Sequence, residues 1–476
     1  MGYIRTRKIK YKRLLELLYI IKMNMTSEFQ SVINNRYPSP ILSKIWSPDN
    51  RIKTMRQLWI YLAVQQQALG IQAITKEAIQ ELVNNRDTID YDKIQYYERR
   101  FNHDIIAHIH AYGDLCPNAK KILHLGATSN YINDNTDSIL IKDSMSIISN
   151  KTQVLARILA SKSLEYAKIP TIAYTHLQPA QLITIGRRFA MWSEDISMDL
   201  HHLENIRIPF RGIKGTVGTE DTLLKLFHGD ATKCDLLNDN LAEMYGFNSR
   251  IKVCGQTYSR KYDVEIIHVL STLCQSIYKM MNDLRLLSGK MEVYEYFGKE
   301  QVGSSAMPYK KNPITCEKVC SLCRYVMNQE QNMTQTYINQ WLERTLDDSS
   351  IKRIIYPECF LLAEHILDAT ISVINHLFFN MEHIQLQVKT HMVNVISEEI
   401  ILKGVEMGYS RIEIHEKLRT ILTTHSSYEH LLSDSTIAEI ITTHHISFNP
   451  IDYIGRSIQQ CEMVQLPKYS NEIQFI

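Results

Sequence analysis

Apolar residues return at every third and fourth position along most of this chain. In "TMRQLWIYLAVQQQALG", Met55, Leu58, Trp59 and Leu62 fall on one stripe, and Gly70 is placed to close the helix C-terminally. The longest such stretch runs from a Ser259 cap to Gly289, with Ile266, Val269, Leu270, Leu273, Ile277, Met280, Met281 and Leu284 on its apolar face. About thirty residues at 1.5 Å each make a rod of about 45 Å, a length typical of extended bundles. Similar helical patterns cover 137–168, 181–206, 313–341 and 350–380, and few segments alternate with period two. The expected fold is therefore all-α. It divides into an N-terminal helical domain (25–128), a central long-helix bundle (129–380) that assembles into a multi-chain bundle, and a C-terminal helical domain (381–476).

Composition adds exclusions. The longest apolar run, Leu14 to Ile21, is short and contains Glu16, so no membrane-embedded span is expected. The formal charge of +2 conceals a basic arm: residues 1–24 carry seven Lys/Arg and one acid, which leaves the rest of the chain acidic. No overall basic field points to nucleic acid. The arm fits a targeting segment, an electrostatic tether, or an extension upstream of a start at Met23 or Met25; its poverty in serine favours the last. Nine scattered cysteines do not form a disulfide framework, so a reducing cytoplasm is expected. Cys316, Cys320 and Cys323 share one helix face without a second Cys/His pair nearby, and read as small buried side chains rather than as metal ligands.

One stretch breaks the helical grammar. "GSSAMPYKKNP", Gly303 to Pro313, has two helix breakers, two hydroxyls and two cations. Asn312 and Pro313 read as the N-cap and first residue of the next helix, whose N-terminus, with Lys310 and Lys311, predicts an anion site under a mobile lid. A P-loop is excluded because Tyr309 stands where a glycine must precede the lysine. A Ser-x-x-Lys pair is excluded because Ser304 and Lys310 are six apart. What remains is a serine beside concentrated positive charge, suited to removing a proton from a carbon acid.

This loop resembles the signature of the fumarase/aspartase superfamily, whose members eliminate or add across a C–C bond to release fumarate. Other stretches resemble adenylosuccinate lyases of the animal type: "NNRYPSP" with Arg36 and Tyr37, "NHDIIAHIH" with His103 and Asp104, "HLGATSNYINDNTD" with Thr128 and Ser129, "YTHLQPAQ" with Thr175 and His176, "GQTYSRK" with Gln256, and "ERTLDDSSIKR" with Arg344, Ser349 and Arg353. The likeness runs in order from Asn34 to at least Ala363. Argininosuccinate lyase shares "KKNP" and "YTHLQ" but fits "ERTLDDS" less well. A catalytically silent structural relative is disfavoured by the intact Ser304, His176 and Lys310.

The resemblance implies cleavage of adenylosuccinate to AMP and fumarate, with parallel cleavage of the succinylated carboxamide ribotide, by a cofactor-free homotetramer whose sites are shared between subunits. It implies Ser304 as general base aided by Lys310 and backbone N–H groups, with Ser305 a possible sharer. His176 is implied as general acid and His103 as a substrate-orienting histidine. It further implies substrate binding by Arg36, Tyr37, Asp104, Thr128, Ser129, Thr175, Gln256, Asn312 and Lys318, with Arg344, Ser349 and Arg353 on the nucleotide phosphate. Arg344 and Arg353, nine apart, reach one phosphate only if the helix breaks between them, and "DDSS" at 347–350 supplies that break. Three positions depart from the pattern: Lys318 where relatives carry Arg, Asn102 where a basic residue precedes the histidine, and Glu220 in place of Gln.

Overall fold

The computed structural model describes residues 27–424 and 427–464, so the basic arm lies outside the described residues. Among them, helices dominate. Helix α1 (Pro48–Ala68) starts on a Ser47 cap and buries Met55, Leu58, Trp59 and Leu62, the stripe expected of it. Two shorter helices (Lys76–Asn84 and Tyr91–Phe101) separate it from helix α2 (Asp104–Leu115). Five long helices then form the centre of the molecule: α3 (Ser129–Glu165), α4 (Ile185–Glu204), α5 (Lys261–Gly289), α6 (Ile314–Ile338) and α7 (Asp347–Asn375). Each packs on the next and α7 packs back on α3, so the five close into a bundle around one continuous apolar core. Cys316, Cys320 and Cys323 point into that core and are buried, as their common helix face predicts. Beyond it follow α8 (Met381–Val395), α9 (Ser397–Glu406), α10 (Arg411–Thr424) and further short helices.

Two small antiparallel ribbons interrupt the helices. Strands β1 (Pro170–Thr175) and β2 (Gln178–Thr184) form a hairpin between α3 and α4, while β3 (Val293–Tyr294) pairs with β4 (Phe378–Phe379). The helix expected over 181–206 therefore begins only at Ile185, where the Thr184 hydroxyl accepts from the Arg187 N–H. "PTIAYT" and "QPAQLIT" pair across a two-residue turn, and pairing across strands overrides the helical pattern at residues 181–184.

Connectivity fixes which ends of the bundle coincide. The start of α5 meets the starts of α3 and α7, because Arg260 bonds both Asp134 (2.8 Å) and Asp348. The hairpin meets the finish of α5, because Lys290 donates to the Leu177 carbonyl (3.4 Å). At 29 residues, α5 separates these two ends by about 43 Å.

Candidate active site

At the end marked by Arg260, a cleft of about 530 Å³ is lined by His103, Asp104, Ser129, Gln256, Arg344, Ser349 and Arg353. His103 caps α2: it is extended, its Nδ1 accepts from the Ile106 N–H at 3.4 Å, and its Nε2 lies 3.5 Å from Ser129 Oγ. The Nε2 atom is thus the one that faces the cleft-lining serine. Asn102, just before it, sits in the left-handed region at φ 49° and ends the preceding helix. Asparagine tolerates that conformation better than a long basic side chain does, a local reason for the departure noted in the sequence.

Thr128 and Ser129 begin α3. The buried Thr128 hydroxyl has no hydrogen-bond partner and does not cap its own helix. Gln256 is oriented twice over, accepting from Asn130 Nδ2 (3.1 Å) and donating to the Thr216 carbonyl (2.9 Å). The helix break required between Arg344 and Arg353 is present: α7 starts at Asp347, with Arg344 in the preceding loop and Ser349 and Arg353 one turn apart. Arg344 is paired with Asp348 (2.7 Å) and Arg353 with Asp104 (2.7 Å).

Beneath this cleft lies an ionic cluster that sequence reasoning missed. Arg260, Lys352, Asp134, Asp263 and Asp348 are all buried and mutually paired, and the Tyr258 hydroxyl donates to Asp263 at 2.6 Å. Burial opposes the charge on Asp348, yet Arg260, Lys352 and Arg344 hold its carboxyl below the usual range. The signal was in the spacing: Asp134 and Asp137, Arg260 and Asp263, and Asp348 and Lys352 each recur at one helical turn. His124 was also missed. Its Nδ1 accepts from Trp59 Nε1 (2.9 Å), its φ is 68°, and burial, with His103 adding repulsion, pushes its pKa down to about 4.

The other expected residues lie at the opposite end. His176 occupies the turn of the β1–β2 hairpin, where Thr175 pairs with Gln178. Both turn residues are left-handed, His176 at φ 53° and Leu177 at 61°. Two consecutive non-glycine residues in that region carry backbone strain, and a strained turn that presents an exposed histidine is a functional signal.

On the loop before α6, the Ser304 hydroxyl accepts from the backbone N–H groups of Met307 (3.0 Å) and Ala306 (3.3 Å). Two donors aimed at one oxygen favour its alkoxide. Gly303 is needed there, since a Cβ would lie 2.0 Å from the Lys310 carbonyl. The expected anion site at the α6 N-terminus is corrected by the structure. Asn312 does not cap the helix; its Nδ2 donates to the Gly303 carbonyl (3.0 Å), and α6 starts at Ile314. The first-turn N–H groups of Thr315 and Cys316 are taken by the Glu295 carboxylate at 3.0 and 2.6 Å.

Arg36 and Tyr37 sit at the end of a short helix (Val32–Arg36), with the Tyr37 ring 5.4 Å from that of His365. Lys318, in α6, is lowered by burial, with Glu295 opposing and Arg36 adding. Glu220 pairs inward with the buried Lys214, which neutralises the charge its departure from Gln introduces. The structure thus gathers His103, Asp104, Thr128, Ser129, Gln256, Arg344, Ser349 and Arg353 at one end. At the other stand Thr175 and His176, with Ser304, Lys310, Asn312, Arg36, Tyr37 and Lys318. Within one chain the two sets do not meet.

A closed bundle of long helices with a signature loop at one end and a cleft lined by paired charges at the other is the architecture of a fumarate-releasing lyase. A family profile described as lyase matches residues 55–328. The chain is 36% identical to adenylosuccinate lyase of Saccharomyces cerevisiae over 94% of its length and 96% of that protein, and 38% identical to that of Schistosoma mansoni over 93% and 95%. It superposes on 3-carboxy-cis,cis-muconate lactonizing enzyme from Pseudomonas putida with a TM-score of 0.79 at 18% identity, covering 91% of this chain and 98% of that one, which shows the fold alone. The chain belongs to the adenylosuccinate lyase family and is an enzyme. Among the described residues, no helix is long and apolar enough to cross a membrane.

Proposed function

We propose that the protein eliminates fumarate from adenylosuccinate to leave AMP, and from the succinylated carboxamide ribotide by the same chemistry, in the cytoplasm. The observation that carries this reading is the pair of guanidiniums flanking the start of α7, on a chain 36% identical over nearly its whole length to an adenylosuccinate lyase. Arg344 and Arg353 exchange their carboxylate partners for the nucleotide phosphate, and Ser349 adds a hydroxyl. Ser304 takes the proton beside the substrate carboxylate and His176 protonates the departing nitrogen, each contributing about 10² to 10⁴ in rate. Lys310 and the loop N–H groups stabilise the negative charge that develops between these steps.

The reading includes a homotetramer. The half-site with His103 and the hairpin with His176 lie at opposite ends of α5, a helix about 43 Å long, so a complete site needs the cleft of one subunit and the hairpin and loop of others. Antiparallel packing of α5 against copies of itself supplies that arrangement, with the central bundle (129–380) as the assembly domain. The test is a spectrophotometric assay with adenylosuccinate beside argininosuccinate. Fumarate from the first alone is expected; fumarate from neither overturns the proposal.

A further inference from the structure

The hairpin tip is strained and exposed, yet its base is fastened to one buried carboxylate. Glu292, 3% exposed, follows the end of α5. It accepts from the Tyr174 hydroxyl, from Thr171 Oγ1 (3.3 Å) and from Arg188 Nη1 (3.3 Å). Tyr174 and Thr171 belong to β1, and Arg188, in α4, also donates to the β1 carbonyl of Ile172. Lys290 lies 4.0 Å over the Tyr174 ring and reaches the Leu177 carbonyl in the turn itself. Glu292 is in turn fixed by its backbone, donating to Leu287 (3.1 Å) and accepting from Asn380 (2.9 Å). One side chain therefore joins both hairpin and α4 to the rigid end of α5.

We propose that Glu292 is a positioning residue for the general acid: it locks β1 through Tyr174 and Thr171, and so sets where the His176 imidazole stands when the hairpin enters a neighbouring subunit's site. The inference rests on the assignment of His176 given above. A two-stranded ribbon ending in two left-handed residues has little stiffness of its own, and proton donation demands placement to a fraction of an ångström. The register slips between Ile172 and Tyr174, so ladder hydrogen bonds are interrupted just where the carboxylate grips. Burial, then the bond to Glu292, raises the Tyr174 pKa, which keeps its hydroxyl a donor to that carboxylate.

The experiment is a double-mutant cycle on the full-length enzyme. Glu292→Gln and Tyr174→Phe are each expected to lower kcat about tenfold or more while KM moves less than about threefold. Placed in a His176→Ala background, the same substitutions are expected to add less than about twofold, because their effect passes through the histidine. Full multiplication of the losses in that background means a general effect on folding and overturns the proposal. Wild-type turnover in both single variants, with His176→Ala inactive, overturns it while leaving the acid assignment standing. Near-normal turnover in His176→Ala itself removes the acid assignment and the positioning role together. If Glu292→Gln fails to fold, Tyr174→Phe decides alone, since it leaves the Arg188–Glu292 pair in place.

Discussion

Arg353 in α7 and Asp104 in α2, 249 positions apart in sequence, form an ion pair of 2.7 Å at the mouth of the cleft. The other oxygen of the same carboxylate lies 3.5 Å from His103 Nδ1. The guanidinium assigned to the phosphate is thus held in place by an anion already in the protein, and nucleotide must compete with Asp104 for it. That competition costs little, because the Arg353 side of the pair is exposed to solvent.

Arg353→Ala is accordingly expected to weaken AMP binding by about tenfold or more and adenosine binding by less than about twofold, since only the charged, hydrogen-bonded contact to phosphate is lost. Titration calorimetry with both ligands checks this. Equal weakening would place Arg353 outside the phosphate site.

The loop before α6 gives a second test. Ser304→Ala is expected to lower turnover by at least about 10², the scale of a lost base. Gly303→Ala should be nearly as damaging, because its Cβ would lie 2.0 Å from the Lys310 carbonyl and force the loop open. As the loop is exposed, the melting temperature of both variants should match that of the parent. An active Gly303→Ala enzyme would show that this loop geometry is not the working one.

Two half-buried histidines predict the acid response. Burial pushes His124 and His108 down to about 4, against an ordinary value of 6.5, so both are neutral in the folded chain well below neutral pH. The unfolded chain binds those protons first as pH falls. Stability is therefore full above pH 6.5 and is lost as pH drops toward 4. Urea midpoints measured across that range should fall with pH. His124→Asn, which suits a left-handed backbone, should flatten the slope; an unchanged slope would remove His124 from the account.

How much of this was legible beforehand follows from the kind of signal involved. Helices α5, α6 and α7 were visible because an apolar face on a long helix repeats regularly, and the break before Asp347 because two arginines nine apart cannot share a face. The hairpin was not visible: its strands are short, and cross-strand pairing with a left-handed turn lacking glycine leaves no local mark on "YTHLQPAQ". Glu295 was missed for another reason. Nothing in sequence tells that a carboxylate nineteen residues before Ile314 will fold back onto that helix's first turn, so the free N–H groups expected there are already satisfied. The buried Arg260 cluster left a helical spacing, but only packing turned it from solvated surface charge into the floor of a cleft.

The separation of the half-sites makes the last prediction the most decisive. The His103→Ala and His176→Ala variants should each be inactive or nearly so, one lacking the orienting histidine and the other the acid. If each site takes its cleft from one subunit and its hairpin from another, mixing the two inactive proteins under conditions of subunit exchange places an intact cleft opposite an intact hairpin in about a quarter of randomly assembled sites. Activity should therefore rise toward about a quarter of wild type. Were both histidines to act within one chain, every subunit would stay defective however the mixture assembled. Mass spectrometry of the mixed assemblies verifies exchange, and no recovery in exchanged samples would overturn the shared site, leaving the two half-sites at opposite ends of α5, a helix of about 43 Å, without a bridge.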